Sequence, residues 1–216
     1  MNLVEMSELL GIRFTGENQL ISNLAYDSRD VKDGGVFFAI RGQDQDGHDY
    51  IEKAIENGAI AVVGEKDLTL SIPYFQVFNT KKALAVISNE YYETPSKDIN
   101  LVGVIGTNGK TTITYLIQHV FECLGINSGL IGTNGSWVGS KKKATHTTPM
   151  SLDLNYLLKD SVKNNLQYLV MEVSSHGIKE NRVDQIHFDR LIFTNITPEH
   201  LDYHKTFEDY LFTKMR

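Results

Sequence analysis

The chain has 216 residues, 41% hydrophobic and 22% charged, with a formal net charge of −6. That length holds one large domain or two smaller ones with ordinary soluble cores, and the acidic balance argues against a nucleic-acid partner, whose footprint is basic. A single cysteine, Cys123, excludes a disulfide framework within the chain and a cysteine-rich zinc site, and it fits a reduced, cytoplasmic setting. The opening MNLVEMSELLGIRF has no basic start, long apolar core or cleavage site. No apolar run approaches the ~20 residues that span a bilayer, so no membrane partner is expected.

Taken in chain order, short apolar runs come first: VFFAI (36–40), AIAVV (59–63) and YFQVF (74–78). Between the first two, DYIEKAIENGA places Ile51, Ala54 and Ile55 on one helical face, and Gly58 ends the pattern. The stretch ETPSKDIN (93–100) breaks the pattern with Pro95, Ser96 and charges and predicts a boundary. Two domains follow, 1–98 as a small α/β unit and 99–216 as a larger one. In the second, LVGVIG (101–106) predicts a buried strand. A helix from Lys110 follows, with Ile113, Leu116, Ile117, Val120, Phe121 and Leu124 on one face and Gly125 at its C-terminal cap. Cys123 is expected beside that face, and inert. LIG (130–132) reads as strand, SLDLNYLLKDSV (151–162) as helix, and YLVMEV (168–173) and RLIFTNI (190–196) as strands. This alternation predicts a parallel sheet with helices on both faces. The final TFEDYLFTKMR predicts a helix capped by Thr206 with Asp209 at N3. The chain stops inside that helix, as expected of a fragment of a longer protein.

The stretch GVIGTNGKTT (103–112) joins the first strand of the second domain to its first helix. A phosphate loop needs glycines that let backbone N–H groups close on oxygens, a helix N-terminus behind them, a lysine for the β/γ phosphates and a hydroxyl for magnesium. Gly106, Gly109, Lys110 and Thr111 supply these. The general pattern G-x-x-x-x-G-K-[ST] would put its first glycine at 104, where Val104 stands within the strand. Further on, MEVSSH (171–176) places Glu172 at a strand end, where a carboxylate can join Thr111 on magnesium. FTNITPEHLDYH offers Glu199, His200, Asp202 and His204 in six residues. By count this resembles a metal cluster, zinc included, although the spacing matches no standard zinc motif. Lys214 reads as a solvated cation. Asp27-Ser28-Arg29 reads as a capped turn, and Gly34-Gly35 and Gly42 mark tight turns. Lys141-Lys142-Lys143, after the loop GSWVGS that carries Trp137, reads as a solvated hairpin tip; packing is the expected role of Trp137.

The ordered set GTNGKTT, MEVSSH, HLDYH and Lys214 resembles the Mur ligase family, which builds peptidoglycan stem peptides with ATP. In that family the loop is tight around T/S-N-G-K-T/S and needs no glycine at 104. The resemblance runs over nearly all of the chain and implies a small UDP-binding α/β domain followed by an incomplete ATP-binding domain with a parallel sheet. It implies ATP bound by Gly106, Thr107, Asn108, Gly109, Lys110, Thr111 and Thr112. It implies Mg2+ held by Thr111, Glu172, His200 and a carbamylated Lys214. Catalysis would rest on Lys110, Glu172, His200 and Lys214. The segment AYDSRDVKDGGVFFAIRGQDQDGHDYI (25–51) resembles the uridine-nucleotide-binding domain of the branch that adds the third amino acid. On that likeness Tyr26, through its backbone, and Ser28, Gln43, Asp44 and Gln45 would contact the UDP part of a UDP-muramoyl-dipeptide. Thr147, Thr148, Ser174 and Arg182 would hold its muramoyl-peptide part, an arginine being suited to a carboxylate by bidentate pairing. His146 stands where the family often has Asn, and Glu180 where some members have Gln. The expected enzyme is a cytoplasmic monomer that adds an amino acid through an acyl phosphate. Folylpolyglutamate and cyanophycin synthetases share the ATP core but lack the uridine segment. GTPases and kinases lack the EVSSH and HLDYH pair. A fragment that binds nucleotide without turnover is the remaining alternative, since the C-terminal domain that takes the incoming amino acid is missing.

Overall fold

The computed structural model of the chain describes residues 1–42, 44–138, 140–142 and 146–216. They form two compact units, Met1–Tyr91 and Tyr92–Arg216.

The first unit contains α1 (Leu3–Leu9), β1 (Leu24–Ala25), β2 (Gly35–Phe38), α2 (Ile51–Glu56), β3 (Ala59–Gly64), β4 (Tyr74–Gln76) and α3 (Thr80–Tyr91). The four strands form one parallel sheet in the order β1-β2-β3-β4. Helix α1 opens with a reciprocal cap: Asn2 Oδ1 accepts the Glu5 N–H, and Glu5 Oε2 accepts the Asn2 N–H, each at 2.9 Å. Phe37, Ala39 and Val62 from the sheet pack on Ile51 and Ala54 of α2. The turn from α2 into β3 needs Gly58, at φ +98°, because a Cβ there would meet Asp33 Cα at 2.7 Å. Helix α3 has no counterpart in the sequence reading. Its apolar stretch Ala83-Leu84-Ala85-Val86-Ile87 is short and unbroken, and periodicity cannot tell such a run from a strand.

The second unit runs β5 (Asn100–Ile105), α4 (Lys110–Cys123), β6 (Ser128–Gly132), β7 (Gly135–Val138), β8 (Ser140–Lys142), α5 (Ser151–Lys163), β9 (Tyr168–Val173), α6 (Ser175–Lys179), β10 (Arg190–Phe193), α7 (Leu201–His204) and α8 (Phe207–Met215). The sheet order is β10-β5-β9-β6-β7-β8. The first four strands are parallel, as expected, and β7 and β8 extend the sheet as antiparallel neighbours. Leu101, Ile105, Leu169 and Met171 face α5, whereas Val102, Val104 and Val170 face α4, so helices cover both faces. Val104 is a fully buried residue of β5 and not a flaw in the loop.

Two expectations for this unit change. The buried arc of α4 is centred on Thr114, Ile117 and Phe121, and Leu116, Val120 and Leu124 are 58%, 53% and 68% exposed. Thr114 can turn inward because its hydroxyl bonds the Thr111 carbonyl at 2.9 Å. Cys123 is correspondingly exposed. Trp137 lies in strand β7, opposite Leu130, rather than in a loop, and its ring meets Tyr115 edge-on at 5.6 Å. The predicted helix cap at Thr206 is present, its hydroxyl accepting the Asp209 N–H at 3.1 Å.

Candidate active site

Strand β5 ends at Ile105, and the chain turns through Gly106 at φ +148° and Gly109 at φ +85° into α4. A Cβ on Gly106 would stand 2.0 Å from Thr194 Oγ1, so only glycine fits the turn. The loop is clamped from the end of β10. Asn195 accepts the Thr107 N–H on its carbonyl (2.9 Å) and the Asn108 N–H on Oδ1 (3.0 Å). Thr194 Oγ1 and Asn195 Nδ2 donate back to the Asn108 carbonyl at 2.8 and 3.0 Å. The sequence reading missed both residues, although a Thr-Asn pair closing a strand beside a phosphate loop is a usable signal. The first N–H groups of α4 have no intrahelical acceptor and carry the positive end of the helix dipole, which suits a bound anion.

Lys110 Nζ donates to the Gly106 carbonyl (2.9 Å) and the Thr107 carbonyl (2.7 Å). Lys214 is buried and is no solvated cation: its Nζ donates to the same Gly106 carbonyl at 2.6 Å. Burial first, and then the neighbouring Lys110, pull the Lys214 pKa down to about 8. Burial also lowers that of Lys110.

Glu172, at the C-terminal end of β9, is 1% exposed and does not face solvent. Its carboxylate accepts from Thr111 Oγ1 (2.9 Å), Thr133 Oγ1 (3.2 Å) and the Thr133 N–H (2.9 Å). Gly132 makes the room, since a Cβ there would come within 2.2 Å of Glu172 Oε1. Thr133, also absent from the sequence reading, lies 3.1 Å from Thr147 through the two hydroxyls. Thr148 is fully buried; it donates to the Glu172 carbonyl (3.0 Å) and accepts the Ser174 N–H (2.9 Å). Arg182 Nη1 donates to the Thr148 carbonyl at 2.9 Å. Thr147, Thr148, Ser174 and Arg182 are thus linked to the backbone and side chain of Glu172.

His200 caps α7 in the left-handed conformation, φ 54°, with its ring edge-on to His176 at 4.8 Å. The cluster suggested by Glu199, His200, Asp202 and His204 does not form. Among the described residues no three His, Cys, Asp or Glu side chains gather as a metal site. Helix α7 buries His204 completely against Tyr203 and Tyr210 while leaving Asp202 exposed. Tyr203 donates to Glu180 Oε1 at 2.5 Å, so the carboxylate at 180 is engaged by a phenol. The Thr111 hydroxyl, the Glu172 carboxylate and the Thr133 hydroxyl form a compact set of hard oxygen donors beside the loop lysine, which fits magnesium completed by water and phosphate oxygens.

In the first unit, Asp27 caps the 3₁₀ turn Ser28–Asp30, accepting the Arg29 N–H at 3.0 Å and pairing with its guanidinium. That is the capped turn the residues alone suggested. Ser28 is buried, and its carbonyl accepts from Asn57 Nδ2 at 2.7 Å; Tyr26 lies just before it, half-buried. The Gln45 carbonyl accepts the Gly42 N–H at 2.8 Å, and Asp44 is exposed. Gln43 and Lys143 lie outside the described residues.

Fold and site define a parallel α/β unit whose first strand-to-helix turn has the form of a phosphate loop. Residues 20–106 match the model of the Mur ligase family catalytic domain, and residues 104–216 that of the Mur ligase middle domain. A UDP-N-acetylmuramoyl-L-alanyl-D-glutamate–2,6-diaminopimelate ligase of Clostridium botulinum is 45% identical over all of this chain and 46% of its own length. A solved structure of a ligase of the same name superposes with a TM-score of 0.81 at 26% identity, covering 97% of this chain and 43% of that one. The MurF ligase of Thermotoga maritima in complex with ADP gives 0.58 at 25% identity over 89% and 42%. The chain belongs to the Mur ligase family. It spans a little under half the length of the curated relatives it matches.

Proposed function

We propose that this chain is the nucleotide-binding part of an ATP-dependent ligase that adds the third amino acid to UDP-N-acetylmuramoyl-L-alanyl-D-glutamate. The relative's name supports 2,6-diaminopimelate as that amino acid. The observation that carries the reading is the junction of Lys110, Thr111 and buried Glu172 at the mouth of α4. Residues 106–112 hold the triphosphate, with Lys110 and the α4 amides stabilising charge as the γ-phosphoryl group moves to the substrate carboxylate. The acyl phosphate so formed is attacked by the incoming amine, and phosphate leaves. Thr111 and Glu172 would hold magnesium, which would supply positive charge between the two anions. Lys214, whose lowered pKa keeps more neutral amine than an ordinary lysine, is the residue proposed to be carbamylated and, with His200, to serve a second ion. Thr147, Thr148, Ser174 and Arg182 are assigned to the peptide part of the substrate. Tyr26, Ser28 and the segment 43–45 are assigned to its uridine part.

The test is ADP release by the full-length protein given ATP, UDP-muramoyl-dipeptide and diaminopimelate. ATP turnover that ignores the dipeptide substrate sinks the reading. The isolated 216 residues are expected to melt at higher temperature with UDP-muramoyl-dipeptide and to show no turnover. Stabilisation by folate alone would point to the folylpolyglutamate branch.

A further inference from the structure

Thr107 belongs to the loop that a phosphate would meet, yet its side chain turns the other way. It is 5% exposed. Its hydroxyl lies 2.8 Å from Tyr210 Oη and 3.2 Å from the Thr197 carbonyl, and it accepts the Thr197 N–H at 3.0 Å. Tyr210 is fully buried in α8. One turn further along the same helix face, Lys214 bonds the Gly106 carbonyl at 2.6 Å, its ammonium 4.8 Å from the Tyr210 ring. Two consecutive loop residues are therefore held by two α8 residues one turn apart. From the opposite side Asn195 holds the Thr107 and Asn108 N–H groups. Lys110 in turn takes its position from the carbonyls of Gly106 and Thr107. Any shift of Thr107 moves both acceptors of that lysine.

We propose that Tyr210 is a positioning residue for the nucleotide loop: its hydroxyl, acting through Thr107, sets the loop on α8 and so fixes where Lys110 and the α4 amides stand. Tyr210 is itself fully buried and reaches the loop through Thr107. The inference rests on reading 106–112 as a nucleotide loop, and its first readout does not need the nucleotide.

The experiment compares Tyr210→Phe, Thr107→Val, Thr107→Ser and the double variant Tyr210→Phe/Thr107→Val in the 216-residue chain. Amide hydrogen exchange at Thr107 and Asn108 is expected to quicken about tenfold in Tyr210→Phe, the fold-change of one lost buried hydrogen bond, and by more in Thr107→Val, which also loses the two Thr197 contacts. Thr107→Ser should restore the slow rate, and the double variant should exchange no faster than the faster single one. Unchanged exchange in Tyr210→Phe, or additive effects in the double variant, overturns the proposal. Should Tyr210→Phe fail to fold by circular dichroism, Tyr210→His, which keeps a ring with a polar edge, takes its place, and slow exchange in it equal to the unsubstituted chain overturns the proposal. The dissociation constant for MgATP is expected to rise about fivefold to tenfold in the same variants. If the unsubstituted chain does not bind MgATP, the nucleotide reading fails on its own, and the exchange rates still judge the role of Tyr210.

Discussion

In Met1–Tyr91 the buried polar chemistry gathers at His48, and in Tyr92–Arg216 it gathers at Gly106. His48 Nε2 accepts the Glu65 N–H at 2.9 Å, which leaves the proton on Nδ1, and that proton goes to Asp46 at 2.5 Å. Asp46 also pairs with Lys66, and Glu65 caps α3 through the Thr80 N–H. Every charge there meets its opposite or a backbone partner, and the result is a stitch between the 3₁₀ turn Gly47–Tyr50 and the sheet. At Gly106 two lysines share one carbonyl, and a buried carboxylate is held by hydroxyls instead of a cation. The same fold logic, parallel strands with polar groups at their C-terminal ends, thus yields a closed network in one unit and an unbalanced one in the other. An unbalanced network at a strand end is where ligand chemistry is expected.

The sharpest way to break this contrast is to remove Glu172. If the proposed function holds, Glu172→Ala should lower ATP-dependent ligation by the full-length protein roughly hundredfold or more, read as kcat/KM, because the loop hydroxyls and any bound magnesium would lose their anchor. His48→Ala in the first unit should leave MgATP affinity unchanged. Next come the two tight glycines. Gly106→Ala should cost about 2–4 kcal/mol in urea unfolding and weaken MgATP binding as well; Gly58→Ala should cost stability alone. His48→Ala itself should cost about 2 kcal/mol, the loss of its buried hydrogen bonds, with the single tryptophan, Trp137, reporting the second unit separately.

The smallest effects are in pH. Burial works to raise the Asp46 pKa, but hydrogen bonds from His48 and Lys66 outweigh it and hold the carboxyl well below the usual carboxylate range. Its stabilisation is therefore present above about pH 4 and lost as the pH falls further. Lys214 is shifted the other way for a base, from 10.5 to about 8. Between those values the unfolded chain holds the extra proton, so the second unit should gain stability as pH rises from 8 to 10.5. Urea midpoints should show Asp46→Asn flattening the acid limb and Lys214→Met the alkaline one. A second unit insensitive to Lys214→Met would mean that the burial of that amine costs little.

Much of the site was legible because its elements are local. The strand, the Gly106–Gly109 turn and the Thr206 cap each depend on residues close in sequence. Glu172 could be singled out because it ends an apolar run. What escaped depends on pairing between distant segments: Asn195 and Thr194 on the loop, Thr133 on Glu172, Tyr210 on Thr107. Lys214 read as a surface cation for the same reason, since only the docking of α8 buries it. The face of α4 was misjudged because Leu and Val are interchangeable with core residues in a pattern, while Thr114 counts as polar until its backbone acceptor is known. The histidine-rich stretch 199–204 looked like a cluster because counting ignores direction, and α7 sends His204 inward and Asp202 out.

The shared carbonyl at Gly106 has a further consequence. While Lys214 is unmodified, two amines converge on one carbonyl, with the carboxylates of Glu172 and Glu199 as the opposite charges acting on Lys110 and that of Glu199 on Lys214. In that unmodified state the spot should discriminate by valence, with a triphosphate preferred over a diphosphate and a diphosphate over a monophosphate. Added salt should narrow those differences as counterions screen the pair, so that the ranking of anions becomes a property of ionic strength as much as of shape.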